Sequence, residues 1–215
     1  MSEFLLPVSE VCDAYLDLQT RVYQLASEMS KEDSLTIVPH CPQWRVKDVL
    51  GHMVGVPEDA ISGAMNGVAT PEWTQKQVDR HADHSIEELL SCWNEALKSF
   101  KHVLPNIPQP GLSQFVFDQV THEQDIRHAI GKPGARDSKA MKVAEAFIRD
   151  LASRSQNPSV QSLSTCEMTG FDFTRCMSGR RTRSQVQQLG LPVESFESFF
   201  NKIPLDFPEV EVDEV

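Results

Sequence analysis

Nowhere does the sequence hold the ~20 consecutive apolar residues that a bilayer-spanning helix needs. Positive charge is also scarce. Twenty Lys and Arg stand against 31 Asp and Glu, a formal net charge of −11. Phosphate binding needs a positive surface, so a nucleic-acid partner is set aside, and so is an anionic membrane surface. No Cys-x-x-Cys pair occurs. The five cysteines (Cys12, Cys41, Cys92, Cys166, Cys176) are odd in number and widely spaced, which argues against both a disulfide framework and a zinc ribbon. The start, Met1 to Pro7, lacks a basic region and a long apolar core, so no secretory signal is expected. A reducing cytoplasm is the expected compartment. No internal repeat is present.

What remains is 215 residues, 40% hydrophobic and 24% charged, an ordinary soluble composition and enough for one sizeable domain plus an appendage. Helical periodicity dominates it. Val11, Tyr15, Leu18, Val22, Leu25 and Met29 alternate spacings of four and three, which predicts a helix from Ser9 to about Met29. Pro39 and Pro42 turn Ser30 to Trp44 into a loop. A second helix starts near Val46, with Val49, Leu50, Met53 and Val54 inward, His52 at the edge of that face, and Gly51 and Gly55 permitting close approach. Pro57 is expected to kink it and Asn66-Gly67 to end it. Pro71 opens a short helix to about His81. Ser85 to Glu88 is a capping box for a third long helix striped by Ile86, Leu89, Leu90, Trp93, Leu97, Phe100 and Leu104. A fourth begins after Pro105, Pro108 and Pro110 and stops at Gly131 to Gly134.

These patterns predict a mainly α protein, a four-helix bundle with a fifth helix from Asp137 or Ser138, as domain 1–157. A small extension, 158–215, packs on it. There, Ser162 to Thr169 reads as a short strand or irregular link. Phe171–Met177, Ser184–Leu189 and Glu194–Lys202 read as short helices, and Glu209 to Val215 as an edge strand or frayed tail.

One stretch departs from the apolar rule. In the fourth helix, Phe115, Asp118, His122, Asp125, Ile126 and Ala129 share a stripe with apolar ends and an acid–imidazole–acid middle. Burying such groups without partners costs roughly 2–7 kcal/mol each, so something must compensate. A metal ion suits a carboxylate and an imidazole one turn apart; a buried His–Asp pair that merely ties the bundle together is the alternative. His52, from the second helix, can converge with Asp118 and His122 inside a bundle. Two imidazoles and a carboxylate suit zinc foremost, with nickel, iron or manganese as alternatives, and leave coordination positions open.

Three segments carry a resemblance: Cys41-Pro-Gln-Trp44-Arg-Val-Lys-Asp48-Val-Leu-Gly-His52, Gly63-Ala-Met-Asn-Gly67-Val-Ala-Thr-Pro-Glu-Trp73-Thr, and Thr121-His122-Glu-Gln-Asp125-Ile-Arg127 with Gly131-Lys-Pro-Gly134. Together, from about Val8 to Asp137, the sequence resembles the mycothiol-dependent maleylpyruvate isomerase family, a branch of the DinB/YfiT-like superfamily of metal-binding four-helix bundles. The resemblance implies that His52, Asp118 and His122 are the metal ligands. Many relatives have glutamate or histidine where Asp118 stands. It also implies a low-molecular-weight thiol co-substrate such as mycothiol, a small electrophilic substrate, and a metal-bound thiolate acting as transferase or isomerase nucleophile. The alternative is a non-catalytic divalent-metal-binding bundle in a stress or ligand-binding role. Asp125 is the catalytic candidate, orienting His122 or taking the thiol proton, unless it simply pairs with Arg127 or Arg45.

Arg180 and Arg181, with Arg183, form the dense positive cluster and are the candidates for holding the carboxylate of a bound small molecule; solvated charge is the plainer reading. His81 and His84, with Asp79 and Asp83, could form a second metal site, but they lie in a polar connector and a solvated loop is the expectation. His40-Cys41 could offer a soft ligand or a reactive thiol, but an ordinary half-buried cysteine is expected, and Trp44, Trp73 and Trp93 are expected as core or loop anchors. An exposed apolar stripe would support a homodimer, with no residues singled out for it.

Overall fold

The computed structural model describes residues 3–200 and 205–214. Asn201 and Lys202, at the end of one expected helix, and Val215, at the end of the expected tail, lie outside them. The fold is mainly α. Clustering of contacts gives two compact units, one of residues 15–108 and 122–134, the other of 1–14, 109–121 and 135–215. Two of the divisions fall inside unbroken helices, Val8–Ser27 and Gly111–Ala129.

The first unit is built on long helices. α1 (Val8–Ser27) buries Tyr15, Leu18, Val22 and Leu25, the predicted three-four stripe. The expected loop after it is more ordered than its prolines suggest. Ser30 and Asp33 close a capping box on a one-turn helix, α2 (Lys31–Leu35). An antiparallel hairpin follows, β1 (Ile37–Val38) with β2 (Cys41–Arg45), pairing Ile37 with Arg45 and Val38 with Cys41. Pro42 is tolerated because each strand of a two-stranded hairpin is an edge.

α3 (Val46–Ser62) runs through Pro57 as one helix. It stops earlier than Asn66-Gly67, because Gly63 takes the left-handed conformation (φ +75°) that ends helices and its N–H bonds the Asp59 carbonyl. α4 (Pro71–Arg80) and α5 (Ile86–Val103) match expectation, the latter opening on the Ser85–Glu88 capping box. α6 (Gly111–Ala129) follows a 3₁₀ turn at Leu104–Asn106.

Four neighbour relations close these helices into a ring within this unit. α3 packs along α5. Tyr15 of α1 meets α5, accepting a 3.1 Å hydrogen bond from Trp93 Nε1 and lying edge-on to Phe100. Arg21 of α1 grips Glu123 of α6 through two hydrogen bonds, 3.2 and 2.8 Å. His52 of α3 faces His122 of α6. That ring is a four-helix bundle, and its seam between α3 and α6 holds imidazoles instead of leucines.

The second unit centres on α7 (Lys139–Ser153), capped by Ser138, which packs on a 3₁₀ turn at Ser162–Thr165 and on α9 (Gly170–Met177); α8 (Pro158–Gln161) precedes that turn. α10 (Arg183–Gln188) and α11 (Val193–Phe200) complete it. Phe147, Leu163, Phe173, Met177, Phe196, Phe200 and Phe207 share one core here. Ser162–Thr165 is therefore a 3₁₀ turn and not a strand, and residues 166–169 are an irregular link. The acidic tail is neither strand nor frayed end: Glu214 is buried between the guanidiniums of Arg175 and Arg181. Two buried cations without a carboxylate would be costly, and that holds the tail in place.

Candidate metal centre

α6 carries an unusual load. Thr121, His122, Glu123, Gln124, Asp125 and Ile126 are six consecutive buried residues, so the helix is enclosed on every side, not along one stripe. Most of its polar groups are answered locally. Glu123 pairs with Arg21 and, one turn on, with Arg127 at 3.0 Å. Thr121 Oγ1 donates to the Phe117 carbonyl, and Gln124 Nε2 to the Gly134 carbonyl. Arg127 is thus engaged by Glu123, and Arg45 by Asp48, so Asp125 draws its partners from elsewhere.

Its neighbours include His122 and Cys41. The Asp125 carboxylate, fully buried, lies 3.2 Å from His122 Nδ1 and accepts a long hydrogen bond (3.8 Å) from Cys41 Sγ at the start of β2. That 3.2 Å approach lacks hydrogen-bond alignment, so it sets the carboxylate beside the ring without fixing its tautomer.

His52, 1% exposed, is held by a relay. Its Nδ1 lies 2.6 Å from Gln77 Oε1, and Gln77 Nε2 donates to Asp59 Oδ2 at 2.7 Å. An ionised carboxylate only accepts, so the amide must turn its NH₂ to Asp59 and its oxygen to His52. His52 Nδ1 is then the donor, and the basic nitrogen of the neutral ring is Nε2. Asp59 is anchored in turn by Arg80, which also bonds Glu58 at 2.9 Å. Burial alone would raise the Glu58 carboxyl, but hydrogen bonds from His81 and Arg80 outweigh it and hold it below its ordinary value.

This relay explains Gly55. A Cβ there would stand 2.6 Å from Gln77 Cβ, so only glycine lets α4 come close enough for Gln77 to reach His52. Gly51 plays a milder part, its missing Cβ 3.1 Å from that of His81.

The two imidazoles meet edge to face, centroids 4.9 Å apart. Asp118 stands one turn before His122 on α6. The donor set fits a divalent cation: two imidazoles, of which His52 has Nδ1 held by Gln77 Oε1, with a carboxylate one turn along α6. Cys41, His122 and Asp125 form a group whose ligand atoms lie within 4.8 Å of one another. Trp44 lies beside both rings, at 6.0 Å from His52 and 6.5 Å from His122, and Trp73 stands 6.5 Å from His52 on another side. These two indoles therefore wall the centre.

Gln77, Trp44 and Cys41 are the neighbours that sequence reasoning missed as parts of the centre. Gln77 carried one usable signal, a Pro-initiated helix directly after two helix-spaced glycines. Arg180 and Arg181 occupy the turn before α10. There Arg180 Nη1 donates to the Ser178 carbonyl, and Arg181, 7% exposed, is ion-paired with Glu214 at 2.6 Å. Arg183 pairs with Glu197.

Among known families, the one described as Mycothiol maleylpyruvate isomerase N-terminal domain matches residues 15–113. That segment contains His52, Gly55 and Gln77 and ends before Asp118 and His122. Neither the curated proteins nor the solved structures gave a match.

Proposed function

We propose, from the match of residues 15–113 to the mycothiol maleylpyruvate isomerase N-terminal domain family, that this chain is a metal-dependent enzyme joining a low-molecular-weight thiol to a small electrophile, as a transferase or isomerase. The observation that supports the reading is the pair of buried imidazoles of His52 and His122, centroids 4.9 Å apart, with Gln77 Oε1 on Nδ1 of the first and the Asp125 carboxylate 3.2 Å from Nδ1 of the second. A divalent ion bound there supplies the Lewis acidity that lowers a thiol's pKa, so that thiolate prevails near neutral pH.

The chain's own residues do the rest. Gln77 holds His52 in the ligating tautomer, and Asp125 lies against His122. Trp44 and Trp73 exclude water on two sides, which strengthens every charge interaction within the centre. Asp125 is a positioning residue toward His122. Its contact with Cys41 also makes it an acceptor for a thiol proton, the role assigned to an incoming thiol's proton in this reading. Asp118 supplies the negative charge that offsets a dication.

Cobalt-substituted protein titrated with mycothiol, and separately with a simple thiol such as cysteine, tests the reading. Saturable change in the cobalt absorption, with a new sulfur-to-cobalt band, is the expected result. A cobalt spectrum indifferent to every thiol would overturn the thiol role and leave a metal-binding bundle without this chemistry.

A further inference from the structure

The connector between α4 and α5, read from its composition as solvated, is not. His81 is 4% exposed and packs against Gly51 of α3. Its Nε2 lies 3.0 Å from Glu58 Oε2, and its Nδ1 lies 2.9 Å from Nδ1 of half-buried His84. Cys92, nearly two turns into α5 and also half-buried, completes a group whose ligand atoms lie within 4.8 Å of one another. None of these residues belongs to the centre around His52.

From this arrangement we propose a second metal site, in which His81 Nδ1, His84 Nδ1 and Cys92 Sγ bind a borderline-soft divalent cation such as zinc. Glu58 acts from behind. Arg80 and His81 both donate to its carboxylate, so His81 carries its proton on Nε2 and turns a basic Nδ1 toward His84. This is the carboxylate–histidine–metal arrangement that fixes ligand tautomers. Without metal, the short contact between the two Nδ1 atoms needs His84 to donate the proton between them. Metal binding moves that proton to His84 Nε2 and releases the Cys92 thiol proton to solvent. Two nitrogens on one tetrahedral zinc stand about 3.3 Å apart, so His84, on a half-exposed turn, need shift by only a few tenths of an ångström. Two imidazoles and a thiolate leave a fourth position for water or another ligand. Arg80 touches both Glu58 and Asp59, so the supporting residues of the two centres share one guanidinium.

The test uses the full chain carrying His52→Ala and His122→Ala, which removes the first centre. Cobalt alone is the probe. One equivalent should bind with a sulfur-to-cobalt band; Cys92→Ser should abolish the band, Cys41→Ser should retain it, and His84→Ala should weaken binding at least tenfold. No cobalt uptake by a cooperatively melting double variant would overturn the site, as would a band lost with Cys41→Ser instead. Should the double variant not fold, alkylation of the unmodified chain decides. Zinc should slow iodoacetamide labelling of Cys92 at least tenfold, and His84→Ala should abolish that protection. Equal rates with and without zinc would refute the proposal.

Discussion

Gln77→Met separates a tautomer-setting role for Gln77 from plain packing. Methionine keeps nearly the same volume in a fully buried position but removes both hydrogen bonds, the 2.6 Å contact to His52 and the 2.7 Å donation to Asp59. Asp59 keeps Arg80. His52 Nδ1–H does not keep an acceptor, and an orphaned buried donor costs about 1–3 kcal/mol. The ring can escape that cost by moving its proton to Nε2, which points an N–H where a lone pair is needed. The penalty then appears in metal affinity, expected to fall 10–100-fold, or about 1.4–2.8 kcal/mol. Gln77→Glu supplies the opposite control. Its carboxylate still accepts from Nδ1, so zinc affinity should be kept, while the metal-free protein loses stability because two carboxylates now face each other at Asp59. Gly55→Ala should act like Gln77→Met from the other side. It gains about 1 kcal/mol of helix propensity yet forces Gln77 away from a Cβ that would sit 2.6 Å from its own. Competition for zinc against a chromophoric chelator, with urea melts of the metal-free proteins, reads all three. If Gln77→Met loses stability but binds zinc within twofold of the unmodified chain, the relay does not set the ligand and the reasoning fails.

Three further outcomes are expected. Glu214→Ala leaves the buried Arg175 guanidinium, and Arg181 beside it, without their carboxylate; the loss should be about 3–5 kcal/mol in urea denaturation, and a loss under 1 kcal/mol would mean the tail is not anchored this way. Burial pushes the Cys176 thiol up to about 12, only partly relieved by Arg181, so maleimide at pH 8 should leave it unlabelled until the protein is denatured. Ser85→Ala removes the hydroxyl that accepts from Glu88 N–H and should cost about 1 kcal/mol. The reciprocal Glu88 bond to the Ser85 N–H is the first cause holding that carboxyl below its ordinary value. Because the folded pKa is the lower one, the contribution is present above about pH 4.5 and fades as pH falls further; a stability gap between Glu88→Ala and the parent that is unchanged between pH 7 and pH 3 would contradict it.

What the sequence made legible was periodic. The long helices and their caps follow from spacing three and four and from Ser-x-x-Glu, and His52 stood out as an imidazole on an otherwise apolar stripe. The hairpin did not show, because Cys41-Pro-Gln-Trp-Arg45 has no alternation and a proline that argues against a strand. Gln77 sits in a helix whose neighbours are mostly polar and exposed, so no period marks it as buried. His81 was misread for the same reason: the connector is polar, but Gly51 leaves room for an imidazole against α3. Asp125 stood out on α6 as an acid on an apolar stripe, yet its neighbours include Cys41 and His122, while Arg127 and Arg45 pair with carboxylates nearer in sequence. Pairings such as Arg175 with Glu214 join residues 39 apart and have no local signature.

The most direct measurement is a crystal structure of zinc-loaded protein with anomalous data collected on both sides of the zinc edge. A peak bonded to Nε2 of His52, Nε2 of His122 and the Asp118 carboxylate, with Gln77 Oε1 still on His52 Nδ1, is the result expected. A zinc peak that leaves His52 out, or none near His122 in a fully loaded crystal, would contradict it.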